Sequence, residues 1–548
     1  MTVTNEEATY LIKRDGWGRI AKIEIEGVGE VITPAILKME DLSKIEFGLV
    51  PYSLREFDSA TFEKFNSHNS FLLATGLSAL PPRKIVELLI DLRMKNIIKP
   101  LLVTGLALPQ NLPFLVYIGA DLFDNSMAIM LAHKRVYFHE NGFLSYDKMK
   151  YIPCSCNACN KLKSGDDDVV SLLREHNTNK LFEQAELIKE LIREERLRNF
   201  VEAKAKFNPD LTVMLRVADR FEEFNQRLQP KFKKSKLLPT TMESFDRYEI
   251  RYFLNRVSNV YTHKSKYALI LPCSARKPYL LSKTHRIIRN SLGKLISRVN
   301  EIIVSSPLVV PREFELLYPA INYDTPVTGV WSDEEIDFVA KHLSKLLGGF
   351  EVIIAHVEGG YKEVVKRAVE EDEDKEVIFT ASGSITSKDS LRNLRKELEG
   401  LPEDLSTPLS LLNLRILESM LKYQYDVRID LEGVKVRGKY PKLEFHRDGV
   451  RIARVDTNYG LLEVDIPLAE YLAEQRIYCV EIDDFEPSGT IFSGGVLNAD
   501  RRIRPNDVVV FKNDFVIGVG RAFMSGEEMV LSSKGIAIEV KRKKRSEE

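Results

Sequence analysis

The run LPCSARKPYLLSKTH, residues 271 to 285, brings a cysteine, a lysine, a tyrosine, a serine and a histidine together at the end of an apolar, strand-like segment. A cysteine acts as a nucleophile through its thiolate, which nearby cations and a helix N-terminus favour over the thiol. Arg276 and Lys277 supply the cations, and a helix is expected to begin shortly after them. Cys273 is therefore the candidate nucleophile, delivered by YALILP to the carboxyl edge of a sheet. In this reading Lys277 lowers the thiol pKa or binds a phosphate, Tyr279 and His285 move protons, and Ser282 orients one of them. Each also has a plainer reading: a solvated lysine, a packed tyrosine, a helix-capping serine and a first-turn surface histidine.

A second set is Cys154, Cys156 and Cys159, followed by His176 just before a long amphipathic run. C-x-C spacing is poor for a disulfide between its two members and good for a metal, because an ion relieves the crowding of adjacent thiolates. Three thiolates and one imidazole suit tetrahedral Zn2+. Four protein ligands leave no position for a substrate water, so the expected metal is structural.

The elements that must position these groups read as a multidomain α/β and α+β chain. Residues 1–235 open with a hairpin at YLIKRDGWGRIAKIEIEG, continue in β/α units (PRKIVELLIDLRMKN, KPLLVTG, LPFLVYIGADLFD), and carry the zinc set and a long helix. The basic, proline-containing QPKFKKSKLLPTT closes this region. Residues 236–400 hold the strand candidates YALILP, EIIVSSPLVVP, FEVIIAHV and EVIFTA with helices between them, the pattern of a doubly wound α/β core carrying Cys273. Residues 401–470 form a small α+β unit with a helix at PLAEYLAEQ, and 471–548 read as short strands joined by turns, a small β-barrel.

At 548 residues the chain exceeds one hydrophobic core, and 44% hydrophobic with 29% charged residues describes a globular protein. With 79 Lys and Arg against 80 Asp and Glu, any nucleic-acid surface has to be a local patch. Arg501, Arg502 and Arg504 in one turn, and Lys541, Arg542 and Lys543 in a basic run to Arg545 after the final strand, are the candidate RNA contacts. The N-terminus lacks a signal-peptide core, and prolines break the apolar stretch from Leu101 to Gly119, so a cytoplasmic location with no membrane span is expected.

The N-terminal region resembles the archaeal tRNA-guanine transglycosylase family through RDGWGRI, ITPA, GADLFDNS and the C-x-C-x-x-C…H set. The last eighty or so residues resemble a PUA domain through GTIFSGGVLNADRRIRPNDVVVF, VGRAFMS and KGIAIEV. PCSARKPYLLSKTH is similar to the signature of the archaeosine synthase family. Together these resemblances imply a shortened transglycosylase-like β/α barrel used for docking or architecture, a catalytic core and a PUA β-barrel. FNSHNSFLLATG stands where the transglycosylases carry their base-recognising segment but does not match it, whereas Asp124 aligns with their nucleophilic aspartate.

The family resemblance further implies a tRNA carrying 7-cyano-7-deazaguanine at position 15, whose nitrile carbon a Cys273 thiolate would attack. It implies free lysine as amine donor, with glutamine-dependent amidotransfer the older reading, and a radical S-adenosylmethionine enzyme as partner. A homodimer through the zinc-side helix stays open. For the lysine, Asp333 and Glu334 in TGVWSDEEI offer carboxylates to an ammonium group, and TASGSITSKDS offers hydroxyls and helix-start amides to a carboxylate. Base exchange as in the transglycosylases, and a non-catalytic tRNA-binding subunit, are the competing expectations.

Overall fold

The computed structural model describes residues 9–25, 27–44, 72–326, 330–370, 375–402 and 411–545. Of FNSHNSFLLATG, the part up to Phe71 lies outside them.

The first part opens with an antiparallel hairpin, β1 (Thr9–Asp15) and β2 (Gly18–Ile25), extended by β3 (Gly29–Ile32). Then come β4 (Ala35–Leu37), β5 (Leu72–Ala74), helix α1 (Pro82–Lys95), β6 (Leu101–Val103), α2 (Leu112–Tyr117) and β7 (Leu122–Asp124). These four strands form a parallel sheet in the order β4-β7-β6-β5. The apolar stretch from Leu101 to Gly119 is thus a strand and a short buried helix, and among the described residues no helix is long and apolar enough to cross a membrane. After α3 (Ser126–His133) and the hairpin β8 (Val136–His139) and β9 (Gly142–Ser145) come α4 (Asn157–Lys163) and the long α5 (Val169–Arg193).

The central part is entered through α6 (Tyr248–Val260) and carries β10 (Tyr267–Pro272), α7 (Lys283–Leu292), β11 (Asn300–Val304), β12 (Val309–Pro311), α8 (Asp333–Leu347), β13 (Val352–Ala355), α9 (Gly360–Val369), β14 (Glu376–Phe379) and α10 (Lys388–Glu399). The sheet order is β12-β11-β10-β13-β14, parallel except for the antiparallel edge strand β12. The central strands are apolar on both faces because both are covered. Leu269, Leu271 and Ile354 pack on α7 and α10 through Ile288, Leu292, Leu394 and Leu398, and Ala268, Ile270 and Ile353 share a core with α6, α8 and α9.

The third part joins α11 (Leu411–Tyr425) to a four-stranded sheet, β15 (Lys435–Lys439), β16 (Lys442–Arg447), β17 (Val450–Asp456) and β18 (Leu461–Val464), closed by α12 (Ile466–Glu474). The last part is a six-stranded sheet of β19 (Cys479–Ile482), β20 (Thr490–Phe492), β21 (Val496–Ala499), β22 (Val508–Lys512), β23 (Val516–Ala522) and β24 (Ile536–Arg545). The basic run expected to follow the final strand is inside it. β23 supplies a ladder partner as far as Arg545, which pairs with Val516, so the strand ends only where the ladder does.

QPKFKKSKLL, polar enough to read as a boundary, is buried from Gln229 to Lys233 and lies against all these parts. Lys233 is 3% exposed at its side chain and holds Asp15 of β1 at 2.7 Å and Glu249 of α6 at 2.9 Å. Lys231 holds Asp507 at 2.9 Å and the Tyr478 hydroxyl at 2.5 Å in the C-terminal part. Burial alone would discharge Lys233, but the two carboxylates keep its pKa well above the ordinary value. Lys233→Met removes the ammonium bonded to both buried carboxylates and is expected to cost about 3–5 kcal/mol, read as a lowered urea midpoint. An unchanged midpoint would show that the strap does not hold the parts together.

Candidate active site and metal centre

In the central sheet the chain moves from β10 to β11 on one side and later returns to place β13 on the other, so the switch of direction lies between β10 and β13. The crevice outside the carboxyl ends at such a switch is where doubly wound sheets bind ligands. Cys273 follows the last residue of β10, with its amide donating to the Val304 carbonyl at 2.9 Å, and its side chain is partly exposed. Its Sγ lies 3.2 Å from the hydroxyl of Tyr361, which follows β13 at the start of α9. Burial, reinforced by negative charge at Cys273, pushes the Tyr361 phenol well above its ordinary pKa, so it stays a proton donor.

The Tyr361 ring stands edge-on to Trp331, with centroids 5.0 Å apart. A side chain at Gly360 would meet the Trp331 ring at 2.5 Å, and Gly359 takes φ +57°, so two glycines let the indole lie on the backbone that presents Tyr361. Lys277 rests its ammonium 4.1 Å from the Tyr323 ring centroid. Burial lowers the Lys277 pKa, and negative charge at Cys273 opposes that shift. Arg276 is exposed.

The other signature residues lie beneath this surface. Tyr279 is 0% exposed and its hydroxyl meets that of Tyr323. Ser282 is the N-cap of α7, accepting from the His285 amide at 3.2 Å. His285, also 0% exposed, has Nδ1 2.9 Å from Nη2 of Arg312 and Nε2 3.0 Å from the Pro272 carbonyl. A guanidinium only donates, so Nδ1 carries the lone pair and Nε2–H donates to Pro272, one residue before Cys273. Burial, then the Arg312 charge, depresses the His285 pKa to about 3. Arg312 is itself held by Glu301 at 2.8 Å and Glu315 at 2.8 Å. Ser282 caps the helix and Tyr279 is packed, as their plainer readings have it, whereas His285, expected at the surface or as a proton carrier, is buried and fastens the strand end.

Among the described residues of TGVWSDEEI and TASGSITSKDS, none hydrogen-bonds directly to Cys273; Thr328 and Gly329 lie outside the described residues. Asp333 and Glu334 are exposed in the first turn of α8, two and three residues beyond Trp331. In TASGSITSKDS, the Thr380 hydroxyl meets His356 at 2.8 Å and Ser387 caps α10. Tyr361 and Trp331 were missed by the sequence reading. The available signal was the Gly-Gly pair after FEVIIAHV, marking a strand-to-helix turn at the edge that Cys273 occupies.

The metal set converges as its spacing implied. The ligand atoms of Cys154, Cys156, Cys159 and His176 all lie within 4.8 Å of one another. His176 projects from the buried face of α5, and its Nε2 donates to the Phe138 carbonyl of β8 at 2.8 Å. That bond fixes the tautomer and turns Nδ1 to the thiols, 3.2 Å from Cys159 Sγ and 3.5 Å from Cys156 Sγ. Tyr137 stacks on the imidazole at 4.1 Å. The donor set and its oriented histidine fit a tetrahedral zinc. Asp124 at the end of β7 accepts from the Gly105 amide at 3.0 Å and the Ser126 hydroxyl at 2.9 Å, while burial raises its pKa.

The candidate RNA contacts are engaged within the protein. Arg502 pairs with Asp500 at 2.6 Å and Arg504 donates to the Gln226 carbonyl, while Arg501 is exposed. Lys541 pairs with Glu539 at 2.8 Å, Arg542 with Asp465, and Lys543 and Arg545 with Glu486 at 2.5 and 2.6 Å.

Family models match four consecutive stretches: queuine tRNA-ribosyltransferase over 74–210, a domain of unknown function over 250–398, a pre-PUA domain over 412–473 and a PUA domain over 486–544. The chain is 35% identical to archaeosine synthase subunit alpha of Methanosarcina acetivorans over 84% of its own length and 77% of that protein. The chain belongs to the archaeosine synthase family. Another member, archaeosine synthase of Haloferax volcanii, is 34% identical over 80% of this chain and 76% of the other. A crystal structure of a protein of unknown function is 48% identical, covering 54% of this chain and 100% of that one, with a TM-score of 0.47. Both Cys273 and Tyr361 fall in the stretch matched by the domain of unknown function.

Two measurements check this geometry. With cobalt in place of zinc, the wild type is expected to show the visible spectrum of a tetrahedral thiolate site at about one equivalent, and Cys156→Ser to weaken it. An octahedral spectrum would refute the four-ligand site. His285 binds fewer protons folded than unfolded, where its pKa is about 6.5, so its contribution to stability falls as pH drops below about 6.5. Between pH 6.5 and 5 the His285→Gln variant is expected to lose stability more slowly than the wild type, by up to about 1.4 kcal/mol per pH unit. Parallel losses would mean that His285 is not held neutral.

Proposed function

We propose that this protein is a tRNA-modifying transferase that joins an amine donor, free lysine through its ε-amine, to the nitrile of 7-cyano-7-deazaguanine at position 15 of tRNA. The observation that carries the reading is the pairing, across the β10/β13 switch point, of a partly exposed cysteine with a phenol held in its protonated form 3.2 Å away. The names of its relatives supply the reaction class.

The chemistry balances as an addition. The Cys273 thiolate attacks the nitrile carbon, and the nitrogen takes a proton from the Tyr361 hydroxyl, giving a thioimidate. The neutral amine then adds to the same carbon and loses a proton, which returns to the tyrosinate. Expulsion of the thiolate leaves an amidine, so the nitrile and amine have combined without another product. His285 holds the end of β10 from below and Tyr279 is buried against Tyr323, rather than exchanging protons with substrate. The acidic first turn of α8 beside Trp331 offers Asp333 and Glu334 to the donor's α-ammonium group. Zinc would stay structural, fixing the β8 hairpin to α5. The PUA part would bind RNA, and the amidine would pass to a separate radical enzyme.

Incubating the protein with tRNA bearing the 7-cyano base and isotope-labelled lysine or glutamine is expected to give nucleosides heavier by one whole lysine. Cys273→Ala should abolish the product, and Tyr361→Phe should slow its formation by about 10²-fold or more. Undiminished product from Cys273→Ala would overturn the nucleophile, and a gain of only ammonia from glutamine would overturn the donor.

A further inference from the structure

A second concave surface lies where three parts of the chain meet. It is an open crevice of about 610 Å³ lined by Lys13, Arg193, Arg196, Lys234, Lys236 and Tyr459, with Glu194 and Glu195. Lys13 belongs to the opening hairpin, the two arginines lie at the end of α5 and just beyond it, the two lysines are exposed just after the buried stretch of the strap, and Tyr459 lies between β17 and β18. Five cations thus face two carboxylates in a chain whose overall charge is −1.

The carboxylates do not cancel this balance. Glu195 is buried, with its oxygens accepting from Lys13 at 2.9 Å and from the Lys234 amide at 2.9 Å, so it serves to fix the crevice wall. Arg193, Arg196 and Lys236 reach exposed acids at 3.8, 3.1 and 3.4 Å. Such surface pairs are worth little and give way to a phosphate oxygen. Lys234 lies 5.0 Å from the centroid of the half-buried Tyr459 ring. Apart from Tyr459, the lining is mostly long cationic side chains, which suits a polyanion and not an apolar small molecule.

The crevice also leads to the nucleophile. The strap runs beside residues 322–324, with Leu237 bridged to Tyr323, its amide donating to Asn322 at 3.0 Å and its carbonyl accepting from Asp324 at 2.9 Å. Tyr323 is the ring on which Lys277 rests, and Lys277 shares its loop with Cys273. A chain of phosphates held by Lys234 and Lys236 therefore passes close to the loop that bears the thiolate.

We infer that this crevice is the backbone track of the RNA substrate: it holds successive phosphates of the tRNA so that the modified nucleotide reaches Cys273. The inference rests on the transferase reading for the identity of the RNA. The arginine turn and the basic strand of the PUA part then provide contacts further along the same molecule.

The test is tRNA binding by fluorescence anisotropy between about 50 and 200 mM salt, the range over which phosphate contacts are most visible. The triple variant Arg193→Ala, Lys234→Ala, Lys236→Ala removes exposed side chains and leaves the Lys13–Glu195 and Lys233 pairs in place. Its affinity is expected to fall at least tenfold at low salt, and the slope of log K against log salt to flatten by about 2–3, close to one per lost contact. Its circular dichroism and urea midpoint should match the wild type. An unchanged slope in this folded variant overturns the track. If the variant flattens the slope while the wild type forms no lysine adduct, the track stands and only the transferase reading falls.

Discussion

Lys233 is the constraint on which the assembly depends. A fully buried ammonium is tolerable only if opposite charge meets it, and here the charges come from two different parts: Asp15 ends the opening strand and Glu249 begins the helix that leads into the central sheet. Breaking either contact leaves a buried charge unpaired, so hairpin, strap and α6 must assemble together. The same strap gives Lys231 to Asp507 and the Asn506 side chain an acceptor at the Phe232 carbonyl, 2.9 Å away, tying in the C-terminal part. Such pairs add less net stability than apolar contacts would, but they admit only one arrangement of partners.

That arrangement gives Cys273 its surroundings. The strap residue Leu237 aligns the segment bearing Tyr323, and Tyr323 supports Lys277 beside Cys273. Below, the end of β10 is fastened by His285, which passes through Arg312 to Glu301 and Glu315, the latter also reached by Tyr440 of the third part at 2.5 Å. The network is buried and charged, and the two terminal nitrogens of Arg312 are bonded to Glu315, Glu301 and His285, which ties the end of β10 to the third part. The groups gathered at the switch of the sheet are few: one thiol, one phenol, one ammonium and an indole.

The transglycosylase-like part has buried polar groups of its own. Its Asp124 is committed to the Gly105 amide and the Ser126 hydroxyl, as a carboxylate bracing a loop would be. Its knuckle and the long helix α5 meet through His176, and the far end of that helix supplies Arg193 to the junction crevice. The Cys3His set and the junction crevice are thus joined by one helix.

The sequence alone determined what depends on local pattern and on chemical type. C-x-C-x-x-C with a later histidine is legible because metal coordination needs those ligands whatever the fold, and YALILP followed by a cysteine reads as a buried strand with a nucleophile at its edge because both signals lie within a few residues. The alternation in the last two parts gave their strands for the same reason. Tertiary structure decided everything that joins distant segments. Nothing near position 273 indicates that Tyr361 stands across from it, since the pairing follows from the order of β10 and β13 in the sheet. His285 and Tyr279 have the composition of catalytic groups, and only their burial shows them bound from below. QPKFKKSKLL has the polarity of a boundary, and its interior position follows from carboxylates that lie far off in the chain. The basic run after KGIAIEV extends a strand because β23 provides a partner, and hydrogen-bond partners across a sheet are not written in the strand that needs them.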